Sequence, residues 1–118
     1  MGRTVLIVDD HAAFRLHAAA LLERAGYDVV GSCDDGESAL AAVASLQPDV
    51  VLLDVQLPDL DGIGVAALLR PAPDGPTIVL VSSREAVDYG ARLERSGAAG
   101  FITKAELSAR SMAQLVAP

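Results

Sequence analysis

Three aspartates stand directly after two short apolar runs, where their carboxylates could act together. Asp9 and Asp10 follow residues 4–8, and Asp54 follows residues 50–53. Both runs are rich in β-branched residues, which is typical of buried parallel strands. If the two strands are neighbours the carboxylates converge, and each close pair of charges repels by several kcal/mol at about 4 Å. Such a group must take up protons or bind a cation.

A hard divalent cation suits this group of acids. Mg²⁺ takes oxygen ligands in octahedral geometry, keeps several waters, and is typically bound by one or two carboxylates together with phosphate oxygens. The three aspartates therefore suggest a magnesium site used for phosphoryl chemistry.

The composition indicates one small domain with an aliphatic core. The 118 residues are 52% hydrophobic but only 3% aromatic, and there is no tryptophan. A chain of this length forms a single packed core. The one cysteine, Cys33, excludes an intrachain disulfide and a cysteine-based zinc cluster.

The charge and hydropathy exclude two classes of partner. The 16 acidic residues outnumber the 9 basic ones, and no basic cluster is dense enough to follow a phosphate backbone. We therefore expect no direct nucleic-acid binding. No apolar stretch approaches the ~20 residues that span a bilayer, and no signal sequence is recognised, so we expect no membrane partner and a cytoplasmic protein.

Strand-like and helix-like segments alternate along the whole chain. Strands are predicted at residues 4–8, 28–32, 50–53, 77–81 and 100–103, and helices at about 12–25, 37–46, 63–69, 86–96 and 107–116, with a Pro/Gly-rich loop at 71–76. This alternation predicts an α/β fold with a doubly wound five-stranded parallel sheet. Such sheets bind ligands beyond the carboxyl ends of the strands, where Asp9, Asp10 and Asp54 fall. Ser82 and Lys104 follow the fourth and fifth strands and belong to the same edge.

These residues and the segments around them resemble the receiver domain of bacterial two-component response regulators. The resemblance covers nearly the whole chain and implies the flavodoxin-like strand order 2-1-3-4-5. It is carried by VLIVDDHAAFR at 5–15, VVLLDVQLPDLDG at 50–62, IVLVSS at 78–83 and GFITK at 100–104. The DDH and GFITKAEL segments are closest to the branch that carries a LuxR-type helix-turn-helix output domain.

The resemblance assigns a role to each acid. It makes Asp54 the phosphoacceptor, which attacks the phosphorus of a phosphohistidine on a sensor histidine kinase. Asp10 and Asp54 would bind Mg²⁺ directly, Asp9 would bind it through a water, and the main-chain carbonyl of Gln56 would supply a further ligand.

The resemblance also implies how the phosphoryl group is held and sensed. Ser82 and Lys104 would donate to the phosphoryl oxygens, and an ion pair between Lys104 and Asp54 is expected in the resting state. Phe101, at the switch aromatic position, would swing from exposed to buried and repack the face formed by helix four, strand five and helix five. A phosphorylation-linked homodimer is one possible output.

Other interpretations of the same residues remain open at this point. Asp9 and Asp10 could cap the first helix, Ser82 could cap the fourth, and Phe101 could be an ordinary core residue. His11 and His17 are expected to be solvated. A Mg²⁺-dependent phosphatase using Asp54 as nucleophile is a rival function, but such enzymes need a second acid two residues on, where this chain has Gln56. An unphosphorylated interaction module is a third candidate, although the full set of acids disfavours it.

We expect residues 1–118 to form one receiver domain with no output domain in this sequence. Either a stand-alone receiver or a piece of a longer regulator would fit, and the downstream partner is unknown. Ala105 follows the lysine where many family members have proline, so a trans bond is expected there.

Overall fold

A five-stranded parallel sheet with helices on both faces forms the fold. The computed structural model describes residues 2–69 and 75–116, so residues 71–74 of the predicted loop lie outside the described part. The sheet order is β2-β1-β3-β4-β5, as predicted. The strands are β1 Thr4–Val8, β2 Asp28–Cys33, β3 Val50–Asp54, β4 Thr77–Ser82 and β5 Gly100–Thr103. The α-helices are α1 Ala12–Arg24, α2 Gly36–Leu46, α3 Gly62–Leu69, α4 Ala91–Arg95 and α5 Ala109–Leu115.

The three central strands are apolar because both of their faces are covered. Successive side chains of a strand point to opposite faces, so each strand contributes to two separate cores. One face buries Val5, Ile7, Val50, Leu52, Val79 and Val81 against α1 and α5. The other buries Leu6, Val8, Val51, Leu53, Ile78 and Leu80 against α2 and α3. None of the described helices is long and apolar enough to cross a lipid bilayer.

The strand register brings the candidate residues to one edge of the sheet. Val8 pairs with Leu53, so Asp9 and Asp54 follow neighbouring positions on β1 and β3. Asp54 in turn pairs with Val81, next to Ser82 on β4. Because β2 lies on one side of β1 and β3 on the other, the chain changes winding direction between β1 and β3, which is where such sheets form ligand sites.

The fourth helix differs from the prediction of one helix over residues 86–96. A short 3₁₀ turn, Ala86–Asp88, is separated from α4 by Gly90, whose φ is 59° and ψ is −143°. This left-handed backbone is accessible to glycine and interrupts the helical hydrogen bonds. Neither the 3₁₀ turn nor α4 contains a fully buried residue.

The fifth helix begins two residues later than predicted. Residues Lys104–Glu106 form a second 3₁₀ turn, and α5 begins at Ala109. Ser108 caps it, because its hydroxyl accepts a hydrogen bond from the Ser111 N–H at 3.0 Å. The described residues contain no cis peptide bond, so the Lys104–Ala105 bond is trans, as predicted.

Gly62 lets the start of α3 pack directly on the backbone of β3. A Cβ at this position would lie 2.0 Å from the Asp54 carbonyl oxygen and 2.8 Å from the Val55 Cα. The Gly62 N–H also donates to the Val55 carbonyl oxygen at 2.8 Å. The absence of a side chain at Gly62 therefore determines where the main chain after Asp54 runs.

We predict that Gly62→Ala lowers the free energy of unfolding by about 1–3 kcal/mol, the usual range for overpacking a rigid contact. Gly64→Ala in the same helix is the matched control, because a Cβ there meets nothing within 4 Å. That substitution should raise the free energy of unfolding by about 0.5–1 kcal/mol through helix propensity. Urea unfolding followed by circular dichroism measures both, and equal midpoints for the two variants would contradict the prediction.

Candidate functional site

The predicted carboxylates converge at the ends of β1 and β3. One carboxylate oxygen each from Asp9, Asp10 and Asp54 and one ring nitrogen of His11 all lie within 4.8 Å of one another. Asp9 is fully buried and Asp54 is 3% exposed, whereas Asp10 reaches solvent. The strand-end argument therefore predicts the grouping correctly.

Lys104 supplies a positive charge to this group from the end of β5. Its Nζ lies 2.7 Å from Asp9 Oδ2 and 3.5 Å from Asp54 Oδ2. Its side chain is only 16% exposed, and Nζ lies 4.7 Å from the centre of the Phe14 ring. The expected ion pair with Asp54 is thus present, but the closer partner is Asp9. One ammonium neutralises only part of the charge of three carboxylates.

The buried environment of Asp54 favours the protonated form of its carboxyl group more than bulk water does. The pKa of its carboxyl is raised to about 6 from the ordinary 3.8, and burial is the largest cause. The Gln56 N–H, which donates to Oδ1 at 3.1 Å, lowers the pKa, and the charge of Asp9 raises it. At pH 7.5 the group is mainly the carboxylate, which is the nucleophilic form. Gln56 thus reaches the site through its main chain, while its side chain is exposed.

The donor set fits a hard divalent cation. The available ligands are mainly carboxylate oxygens, which are the ligands of Mg²⁺. Asp9 Oδ2 is buried and accepts no hydrogen bond from the described residues, although Lys104 lies close to it. The Lys104 ammonium, 2.7 Å away, offsets the charge at this oxygen, but one positive charge cannot balance three carboxylates, so the group still favours a further cation.

His11 is a member of the site that the sequence analysis missed. Its side chain is 67% exposed, as expected of a solvated histidine, yet Nδ1 lies 3.1 Å from both Asp9 Oδ1 and Asp10 Oδ1. The position directly after the Asp9-Asp10 pair was the available signal. His11 is also the N-cap residue of α1, without a side-chain capping bond. Asp9 Oδ1 accepts the His11 N–H at 2.8 Å, so neither predicted acid is the N-cap residue.

Ser82 is buried at the end of β4 and does not cap a helix. Its hydroxyl accepts the Arg84 N–H at 3.0 Å and lies 2.6 Å from the Tyr89 hydroxyl. Glu85 caps the following 3₁₀ turn instead. Sequence analysis missed Tyr89, because only the folded chain brings a residue seven positions further on back to Ser82.

Phe101 is half-buried rather than exposed in this structure. Its ring packs against Tyr89, with 6.0 Å between ring centres and an angle of 57° between ring planes. It also packs against the core face that includes Leu80 and Ile78. The expected movement of Phe101 from exposed to buried would therefore start from a ring that is already half-buried.

We predict that Asp54→Asn stabilises the metal-free protein at pH 7.5 by on the order of 2 kcal/mol. The raised pKa means that Asp54 favours folding below pH 4 and that this contribution is lost as the pH rises through about 6. A neutral amide avoids the buried charge, so the gain should be much smaller at pH 4.5. Urea unfolding in EDTA at both pH values measures the difference, with Asp34→Asn as an exposed control. A less stable Asp54→Asn protein at pH 7.5 would contradict the assignment.

Comparisons with known proteins agree with this geometry. The family model for the response regulator receiver domain matches residues 5–116. The response regulator GacA of Pseudomonas aeruginosa is 41% identical over 102 residues, covering 85% of this chain and 47% of that protein. The chain spans about half the length of the curated relatives it matches.

Solved structures give the same result. The receiver domain of the response regulator NarL from Mycobacterium tuberculosis matches with a TM-score of 0.85 and 32% identity, covering 96% of this chain and 91% of that one. A LuxR-family response regulator from Aurantimonas matches with a TM-score of 0.84 and 26% identity, covering 97% and 81%. The chain belongs to the family of response regulator receiver domains, the phosphorylation-dependent modules of two-component signalling.

Proposed function

We propose that residues 1–118 act as a receiver unit in the cytoplasm, accepting a phosphoryl group on Asp54 from the phosphohistidine of a sensor histidine kinase. The observation that carries this proposal is the buried carboxyl of Asp54 at the end of β3, with Asp9 and Asp10 grouped beside it and Lys104 within 3.5 Å. A structural ion pair would need only one acid. Three acids around one ammonium leave negative charge that a divalent cation can balance.

Catalysis of the transfer step depends mainly on positioning the reactants and neutralising charge on the phosphoryl group. An oxygen of Asp54 forms a bond to phosphorus while the bond from phosphorus to the donor imidazole nitrogen breaks, and that nitrogen keeps the electron pair. Phosphoryl transfer of this kind is accelerated mainly by positive charge around the phosphoryl oxygens. The Gln56 N–H orients the Asp54 carboxylate through Oδ1, which leaves Oδ2 facing Lys104.

Magnesium is the cofactor that this donor set suits best. Asp10 and Asp54 would hold it directly, Asp9 through a water, and Gln56 through its main-chain carbonyl. When bound, Mg²⁺ supplies positive charge to the phosphoryl oxygens and allows the acids to remain ionised together. Lys104 would contribute a second positive charge through its contacts with Asp9 and Asp54.

Ser82 and Phe101 are proposed to report that the phosphoryl group is present. The Ser82 hydroxyl would turn towards a phosphoryl oxygen, and the repacking of Phe101 would change the surface around α4, β5 and α5. Such a two-state element biased by a local charge change is a common way to signal. The downstream partner, whether a fused output domain, another protein or a second copy of the chain, is not specified by these residues.

A phosphatase is the second candidate, and Gln56 disfavours it. Turnover through an aspartyl phosphate needs a nearby acid to protonate the leaving group, and the residue two positions after Asp54 is an exposed glutamine. We therefore propose a signalling domain that catalyses its own phosphorylation and dephosphorylation, rather than an enzyme that turns over a separate substrate.

We predict that acetyl phosphate with Mg²⁺ produces one phosphoryl adduct, observed by intact-mass measurement. EDTA should prevent the adduct, Asp54→Asn should abolish it, and Asp34→Asn should form it as the wild-type protein does. An adduct that persists in Asp54→Asn, or that forms equally without metal, would refute the proposal. Continued turnover of a phosphoester would favour the phosphatase instead.

We predict that Phe101→Ala still forms the Asp54 adduct but loses the phosphorylation-dependent change in self-association. The alanine removes the ring that packs against Tyr89 while leaving the carboxylate group untouched. Sedimentation velocity with and without acetyl phosphate measures the association. Leu68→Ala is the control, because Leu68 is an exposed apolar residue on α3. The assigned role fails if Phe101→Ala and wild type associate alike.

A further inference from the structure

We propose that Tyr89 is a positioning residue that holds the Ser82 hydroxyl in the unphosphorylated protein and must release it when a phosphoryl group is bound. The inference rests on the proposed function, because it assumes that Ser82 contacts the phosphoryl group on Asp54. It concerns a residue that lies outside the carboxylate group and outside the sequence motifs described above.

The first support is the geometry around the Ser82 hydroxyl. The Oγ atom lies 2.6 Å from the Tyr89 hydroxyl and accepts the Arg84 N–H at 3.0 Å. A serine hydroxyl has one proton and two lone pairs. The Ser82 hydroxyl can therefore take part in three hydrogen bonds, and two of them are formed in the resting structure. Ser82 is too buried for water to replace these two partners freely.

The second support is the competition that follows. Either hydroxyl can donate the hydrogen bond between Ser82 and Tyr89. If Ser82 donates, a phosphoryl oxygen competes with Tyr89 for its only proton. If Tyr89 donates, the bond is broken because Ser82 moves towards the phosphoryl group. The 2.6 Å hydrogen bond therefore stabilises the resting conformation relative to the phosphoryl-bound one. A ligand shifts such an equilibrium only by its differential interaction with the two states, so this bond opposes the shift.

The third support is that Tyr89 connects Ser82 to Phe101. The hydroxyl of Tyr89 contacts Ser82, and its ring packs against the Phe101 ring at 6.0 Å. A displacement of Tyr89 therefore alters the packing of the aromatic residue proposed as the switch. No such link is visible in the linear sequence.

The fourth support is that Tyr89 lines a groove and is followed by a glycine. It lines a groove of about 460 Å³ together with residues 55–61 and Arg92. The next residue, Gly90, has a φ of 59°, which is readily altered in glycine. Beyond it, an ion pair between Arg92 and Asp61 connects α4 to the loop after β3. Tyr89 can thus leave Ser82 while α4 stays attached across the groove.

The test uses Tyr89→Phe, which removes the hydroxyl and keeps the ring. Beryllofluoride, a non-covalent mimic of a phosphoryl group on a carboxylate, is titrated with Mg²⁺ and followed by ¹⁹F NMR. Tyr89→Phe should lower the apparent Kd about fivefold, because one ordinary hydrogen bond no longer opposes the bound state. Tyr27→Phe, which alters the only other tyrosine, should leave the Kd unchanged.

A spectroscopic readout separates a positioning role from a purely structural one. In Tyr27→Phe, Tyr89 is the only tyrosine and there is no tryptophan, so ultraviolet emission reports on Tyr89 alone. Its emission should change when beryllofluoride binds, and no change should occur when Asp54→Asn is combined with Tyr27→Phe.

The outcomes distinguish this inference from the proposed function. A wild-type protein that neither binds beryllofluoride nor forms the Asp54 adduct would refute both. If the wild-type protein does bind, an apparent Kd for Tyr89→Phe that is equal to or higher than that for Tyr27→Phe would overturn the role of Tyr89. The proposed function would then still stand. Constant emission from Tyr89 on binding would overturn it as well.

Discussion

The placement of two carboxylates side by side in a buried position is the constraint on which the rest of the site depends. Asp9 and Asp54 follow neighbouring strands in the middle of the sheet, where water cannot solvate them well. Their mutual repulsion and the loss of hydration are only partly offset by the Lys104 ammonium. The protein's own groups therefore leave part of the buried negative charge uncompensated, and the proposed cation site and phosphoacceptor role both depend on this property.

The central sheet and the acid group could be predicted from the sequence because they depend on local patterns. Continuous β-branched runs identify strands that are covered on both faces, and an acid at the end of such a run has only one edge of the sheet to occupy. Lys104 could be placed at the same edge by the same argument. Its preference for Asp9 over Asp54 could not, because that choice depends on side-chain geometry across three strands.

The residues that sequence reasoning missed depend on contacts formed only in the folded chain. His11 is expected from the sequence to be solvated, whereas its Nδ1 atom lies beside the two preceding aspartates. Tyr89 lies in a segment predicted as continuous helix, whereas the chain forms a 3₁₀ turn before Tyr89 and breaks at Gly90, and the Tyr89 hydroxyl contacts Ser82. Helical periodicity predicts which face is apolar, but not where a glycine adopts a left-handed backbone.

The segment around α4 has a thermodynamic consequence. Because neither its 3₁₀ turn nor α4 contains a fully buried residue, rearranging it removes little apolar surface from the core. Regions of this kind rearrange at a free energy well below that of global unfolding. A phosphoryl group on Asp54, as proposed, would therefore not have to disturb the tightly packed strands in order to change this segment. It would need to outweigh only local contacts such as the Ser82–Tyr89 hydrogen bond, so the proposal assigns the response to a segment separate from the tightly packed strands.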